Sequence, residues 1–461
     1  VSRGRYSGKV PALSGEVRSH EIEGIVLQDG VDVQDGSLAI LILHGMGPPH
    51  TWLKGVADVE LMFPTYGAGS RYLVHSGRLP LPRDVAAFPF SAVIMTSTFM
   101  DRVVENGLSG NWGRQYDFLK TSGARKIVFP QDDYWQCEVR DQFYVDWGID
   151  EVYPVCPPQS WPELIPRCLK SGARVAQGYT TYVTPYMRSL SLRSRPWAER
   201  DFDVVYRASR TPTAPNRLGM VKSVIGDRFV QALGPNAGLK LDIGGGSGAM
   251  IVGSAWHDFV GNSCAILGSN SGSSIRLRNA TVARNIVEYQ LRHPGAGIEQ
   301  VERDAVPQED RGKSYTAISP RNVEAAMLNT LQILVPGAYS GILQPYEHYI
   351  PLDEDCANVR QVVEALQDEA YCRRVIDACR ERILADTELN VECLIRDVLG
   401  RIRTHAGHAA VPGGAAFDAM TARYESRIRF SQAKSRYLTG FKNMVRPLLP
   451  DRLKLWLRTL R

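Results

Sequence analysis

The chain has 461 residues, a formal net charge of +5, 44% hydrophobic and 22% charged residues; this composition is ordinary for a globular protein, and the length exceeds one ordinary core, so two domains with extensions are expected. No apolar run approaches the ~18 residues of a membrane-spanning helix, and no secretory signal is visible at the N-terminus. The eight cysteines include no CxxC pair, so the chain reads as a reduced, cytoplasmic protein without a disulfide or zinc framework.

In chain order, apolar runs at 38–43, 91–95, 126–129 and 151–155 predict buried parallel strands. A charged, Pro-containing break at 190–202 follows. A second series then runs through 203–206, 239–243, 264–267 and 331–335. Helical patterns fall between them, as in WGRQYDFLKTSG (112–123) and GMVKSVIGDRFVQAL (219–233), and one long helix is predicted over 357–385. Strand–helix alternation of this kind indicates an α/β class with two Rossmann-like domains. The expected division is an N-terminal extension over 1–35, a first domain over 36–195, a second over 196–400, and a linker with a basic tail over 401–461.

Charge is unevenly spread. Residues 421–461 hold eleven Lys or Arg against Glu425 and Asp451, which leaves residues 1–420 acidic on balance. Phe441, Met444, Val445 and Leu448 follow a helical spacing, and Leu453, Trp456, Leu457 and Leu460 repeat it, with Arg446, Arg452, Lys454, Arg458 and Arg461 on the other faces. This pattern predicts an amphipathic helical tail on an anionic membrane surface, through residues 441–461. A helix docked on protein is the alternative. Basic character confined to a tail argues against a nucleic-acid partner for the body.

Ligands of doubly wound sheets bind beyond the carboxyl ends of the strands. The loops there are polar: HGMGPPH (44–50), PQDDYW (130–135), RASR (207–210), GSNSGSS (268–274) and PGAYSG (336–341). Small residues admit backbone N–H groups to an anion and arginines fork onto phosphate oxygens, so the second domain reads as a receptor for a phosphorylated ligand. Gly268, Ser269 and Ser271 are its nucleotide-loop candidates. The plainer alternative is tight turns with solvated arginines. Ser319 is a predicted N-cap and Pro320 suits the first helical position. Arg321 is then misplaced in the first turn, where the helix dipole disfavours a cation, unless an anion sits before it.

YRASR, MVKSVIGDRF, WHDFVGNSCAILGSNSGSS and above all SPRNVEAAMLNTLQILVPGAYSGILQPYEHYIPL together resemble the CgeB-like branch of bacterial glycosyltransferases of GT-B architecture, found in surface polysaccharide assembly. KIVFPQDDYW and WGIDEVYPV resemble its N-terminal segments. The resemblance covers about residues 90–385, most specifically 318–352. It implies transfer of a sugar from a nucleotide-sugar donor, held by the second domain, to a carbohydrate acceptor such as a lipid-linked or growing glycan. The enzyme would then work at the cytoplasmic face of a membrane. It places Glu324 as the acid binding donor ribose or sugar hydroxyls. Arg207 and Lys222 take the place of the basic pair that neutralises the diphosphate. Ser319, Arg321, Tyr339, Ser340 and Gly341 complete the expected cradle. Such enzymes neutralise charge without a divalent cation, so no metal and no cofactor are expected. The DED triplet at 353–355 reads as a polar turn.

An inverting reaction would need a general base from the first domain. Asp133 is the first candidate, with His44 beside it and Asp132 and Asp101 as competitors; a retaining reaction would need none. LDIGGGSG (241–248) resembles the first motif of S-adenosylmethionine-dependent methyltransferases, although the strand after it, ending CAILGSNSG, offers no ribose-binding acid. That activity is the alternative, and a non-catalytic carbohydrate-binding scaffold is a third reading.

Overall fold

A computed structural model describes residues 38–47, 53–107, 110–208, 216–235, 238–245, 251, 253–406 and 414–445, with side chains at the C-terminal end described to Phe430. The 1–35 extension, residues 246–248 of the glycine-rich motif and the side chains of the 441–461 pattern lie outside this set.

The first sheet contains β1 (Leu38–His44), β2 (Ser70–Ser76), β3 (Ala92–Met95), β4 (Arg125–Val128), β5 (Glu151–Val152) and β6 (Arg174–Val175), all parallel, in the order β2-β1-β3-β4-β5-β6. Because both faces are covered, β1 is apolar throughout rather than alternating. Leu38, Ile40 and Ile42 enter one core, and Ala39, Leu41 and Leu43 the other. The second sheet contains β7 (Phe202–Ala208), β8 (Leu241–Gly245) and β9 (Ser263–Gly268). A short antiparallel pair, β10 (Ser271–Ser273) with β11 (Tyr315–Ala317), stands outside it. β12 (Leu331–Leu334) and β13 (Ile350–Pro351) complete the parallel order β13-β12-β9-β7-β8. The α/β class with two Rossmann-like sheets is therefore present, and each strand run predicted from the sequence contains a strand.

Three expectations change. The 112–123 pattern forms a single turn, Asn111–Arg114, and a 3-10 turn, Asp117–Lys120. The long helix over 357–385 is two, Val359–Gln367 and Glu369–Ala385, because the Asp368 carboxylate leaves the helical path to cap the second by accepting from the Tyr371 N–H. The third change is the largest. The region expected to be linker and tail from 401 onward carries helices Val391–Ala406 and Gly414–Val445 that return to the first sheet. Ile395, Val398, Leu399 and Ile402 join the core beneath Ile40 and Ile42. Phe417, Met420, Tyr424 and Ile428, on one face of the last helix, join the opposite core with Leu41 and Leu43. The Tyr424 hydroxyl lies 2.7 Å from His75 Nδ1, and Arg427 pairs with Asp84. Among the described residues no helix is long and apolar enough to cross a membrane.

Candidate functional site

Numbered within each sheet, both orders read 2-1-3-4-5, with one more strand in the first. That order reverses direction between strands 1 and 3, and the crevice at such a switch point is where doubly wound sheets bind ligands. In the second sheet it lies between β7 and β9, whose carboxyl ends carry Arg207 and Ser269.

The side chains there form a cation cluster framed by aromatic rings. Arg207 Nη1 and Nη2 donate to the Asp242 carbonyl and carboxylate at 2.9 and 2.7 Å, and its guanidinium sits 4.6 Å from the Phe259 ring. Arg321 Nη2 donates to the Arg207 carbonyl at 2.7 Å, and its guanidinium lies 5.3 Å from the Tyr206 ring and 5.4 Å from the Trp256 ring. These contacts stabilise a cation at a helix position the dipole disfavours. Lys222 stands on the helix Arg217–Leu233, capped by Asn216, and its carbonyl accepts from the Tyr206 hydroxyl. Burial, and then the neighbouring Arg321 charge, push the Lys222 ammonium below its usual range, with Asp132 across the cleft opposing. Arg207 already has the Asp242 carboxylate, so Arg321 and Lys222 are the cations left to favour a further anion among them.

The helix Pro320–Met327 begins as predicted, with Ser319 and Asn322 forming a reciprocal capping box. Glu324 lies one turn in and is 4% exposed. Its Oε2 accepts from Trp256 Nε1 at 2.7 Å, and its Oε1 is 3.6 Å from His257 Nε2. Gly55 of the first domain comes close, since a Cβ there would lie 3.4 Å from Glu324 Oε1.

Several predicted residues take other roles. Tyr339 is fully buried and donates to the Val335 carbonyl, so its side chain belongs to the core. Ser340, at φ +55°, accepts from the Ile318 N–H and ties the loop to the start of the 320–327 helix. Gly341, at φ +73°, is exposed. Gly268 is a packing glycine: a Cβ would meet Leu334 at 2.6 Å. Ser271 lies in β10, paired with Ala317, rather than in a free loop. Ser269 remains at the crevice, against Tyr206.

In the first domain Asp133 is turned inward at 3% exposure, its Oδ2 accepting from the Cys156 N–H at 2.7 Å. Burial raises its carboxyl to about 6 against the opposing Cys156 N–H and Arg140. His44 is wholly buried, accepting from the Met46 N–H; burial, and then the neighbouring His44, lower His75 to about 3. Asp132 is exposed, as Asp101 is; it adopts φ +50° and faces Lys222 electrostatically. Asp101 pairs with the buried Arg140 at 3.0 Å. At the first sheet's own switch point sits Glu60, unforeseen, its carboxylate accepting from Thr96, Ser97 and Thr98. The hydroxyl run TSTFMD after β3 was its trace in the sequence. Trp256, Tyr206 and Asp242 were also missed, because nothing local marks a side chain as facing a crevice.

The segment between β9 and the 320–327 helix reaches across to the first domain. Leu277 N–H donates to the Tyr134 carbonyl and Gln136 N–H to the Leu277 carbonyl, at 3.0 and 2.5 Å, and Glu163 accepts from Lys313 and Tyr315 at 2.9 and 2.6 Å. This clasp holds the loop that carries Asp132. A separate surface concavity lined by Arg217, Arg228, Glu354 and Asp355 is closed on itself by the Arg217–Glu354 pair and lies off the crevice. Among the described residues no three His, Cys, Asp or Glu are grouped to hold a metal ion.

No family model and no curated protein matches this chain. Solved structures similar to it include an α-glucosyltransferase in complex with UDP and a 13-mer DNA, at 10% identity and a TM-score of 0.49, covering 80% of this chain and 100% of that one. A glycosyltransferase from Rickettsia africae has 9% identity and a TM-score of 0.43, over 81% and 100%. Anabaena HepE in complex with UDP-glucose has 10% identity and a TM-score of 0.40, over 79% and 100%.

Proposed function

We propose that the protein is a glycosyltransferase that moves a sugar from a nucleotide-sugar donor to a carbohydrate acceptor. The observation that carries this reading is the grouping of Arg207, Lys222 and Arg321 beside the buried Glu324 at the β7/β9 switch point. A diphosphate leaving group gains negative charge in the transition state, and fixed cations there stabilise it without a cofactor. Glu324 has acceptor capacity for ribose or sugar hydroxyls, while Ser319 caps the helix that carries it and Ser340 ties the following loop to that helix start. If configuration inverts, Asp132 rather than Asp133 is the base, since only Asp132 is exposed on the loop facing the cations. The methyltransferase reading has less support: β8, which leads into the glycine-rich loop, is an edge strand away from the switch point, and Asp242 is spent on Arg207.

The acceptor we favour is a lipid-linked glycan of bacterial surface polysaccharide assembly, reached at the cytoplasmic membrane face through the basic residues of 441–461. The last helix is anchored on the body by Phe417 to Ile428 and continues to Val445, within the 441–461 segment in sequence. Deleting residues 446–461 should then abolish co-sedimentation with anionic vesicles and leave nucleotide binding intact. Loss of nucleotide binding would make the tail part of the body.

Calorimetric titration with UDP, GDP, CMP, dTDP and S-adenosylhomocysteine tests the central reading. Binding of one nucleoside diphosphate by the wild type, weakened in Glu324→Ala, is expected. Binding of S-adenosylhomocysteine alone would overturn it.

A further inference from the structure

We propose that Trp256 is a positioning residue that sets both polar anchors of the donor site with one side chain: its indole N–H orients Glu324 and its ring face orients Arg321. The inference rests on the nucleotide-sugar reading of this crevice and assigns a residue which that reading does not require. The 2.7 Å bond from Nε1 reaches a carboxylate that is 4% exposed, and the same indole lies 5.4 Å from the Arg321 guanidinium. A tryptophan retained only for packing would leave its N–H to a carbonyl or to solvent; this one spends it on a buried charge, where a hydrogen bond is strongest. The next residue, His257, is fully buried, with Nδ1 3.0 Å from the Tyr186 hydroxyl and Nε2 3.6 Å from the other Glu324 oxygen. Both carboxylate oxygens are thus flanked by consecutive residues of one short helix, Ala255–Gly261. The carboxylate and the guanidinium share the indole, so the ribose-facing and phosphate-facing halves of the site keep a fixed separation.

The two halves can be read separately in the full-length protein with two probes. The nucleoside diphosphate bound by the wild type needs both anchors, and inorganic pyrophosphate needs only the cations. Trp256→Phe keeps a ring face and removes the N–H. It should weaken the nucleotide about tenfold, the size expected for losing one hydrogen bond to a charged group, and leave pyrophosphate within about twofold. Trp256→Leu removes both contacts and should weaken both probes about tenfold. In the Trp256→Phe/Glu324→Gln double variant the nucleotide should bind no more weakly than in Glu324→Gln alone, because the two act through one contact. Equal losses for both probes in Trp256→Phe, no loss in either, additive effects in the double variant, or a Trp256→Phe protein that does not fold would each overturn the positioning role. A wild type that binds both probes while Trp256→Phe behaves identically sinks this inference alone. A wild type that binds neither sinks the reading of the site and this inference with it.

Discussion

The two sheets share a strand order, yet their switch points are furnished differently. The second gathers Arg207, Lys222 and Arg321, whereas the first buries Glu60 against Thr96, Ser97 and Thr98, pairs Asp101 with Arg140, and leaves Asp132 as the acid that faces the cations. The same topology therefore builds two different receptors, distinguished by the side chains at the strand ends. A cationic wall attracts a diphosphate, and the Asp132 carboxylate facing it favours a neutral, hydroxyl-bearing partner over a second anion. On the proposed reading this asymmetry orients donor and acceptor before any chemistry occurs.

Neutralising the cationic wall is the most damaging way to break the comparison. Arg321→Ala should lower turnover about 10³-fold, the scale seen when a preorganised charge is removed from a transition state; a steady-state assay showing less than a threefold change would remove this wall as the anion site. On the acidic side, Asp132→Asn should reduce kcat about 10²-fold with donor KM unchanged if the reaction inverts, whereas Asp133→Asn should act mainly on stability. In the native state Asp133 holds its proton up to about 6, above the ~4 of an unfolded aspartate. Its contribution must therefore lower stability as pH rises between those values, since the folded state binds the extra proton. Urea unfolding across that window should show a flatter profile in Asp133→Asn. An unchanged profile would mean that Asp133 is not the buried acid described here.

Smaller effects sharpen how the two halves are held. Phe417→Ala, at a 5% exposed site in the core that holds Leu41 and Leu43, should cost about 3–5 kcal/mol in chemical denaturation. A change within 0.5 kcal/mol would mean that the last helix does not finish that core. Glu163→Ala removes the Lys313 and Tyr315 contacts of the clasp, which are partly exposed, and should cost no more than about 1 kcal/mol. Its more telling readout is faster amide exchange at Leu277 and Gln136, and unchanged exchange would make the clasp independent of Glu163.

Much of the fold was legible because a buried parallel strand is a short apolar run with few competitors, as LAILIL and CAIL show. β2, SRYLVHS, was missed because its polar ends and internal histidine hide an otherwise buried strand. The helix start at Ser319 and Pro320 was legible because capping is chemistry local to four residues. Asp133 and Asp132 show the limit. The two are adjacent and chemically identical, and only a left-handed φ at Asp132 decides which faces the cleft. Trp256 shows it again, since its meaning depends on Glu324, sixty-eight residues away. The return of 391–428 to the first sheet could not be read from composition, because eight apolar contacts spread over two helices are diluted by polar, charged and small residues in any local average.

That return has a consequence for how the protein comes to exist. Both faces of the β1–β2 end of the first sheet are completed by residues from the last seventh of the chain, Ile395 to Ile402 on one side and Phe417 to Ile428 on the other. A ribosome has therefore made nearly the whole polypeptide before the first domain can close. Until then Ile40, Ile42, Leu41 and Leu43 lack their covers, and the nascent chain presents a sticky, half-built sheet of the kind chaperones engage. A fragment ending at residue 195 inherits that state permanently, so the first domain cannot be harvested as an independent piece by cutting the gene where the second begins.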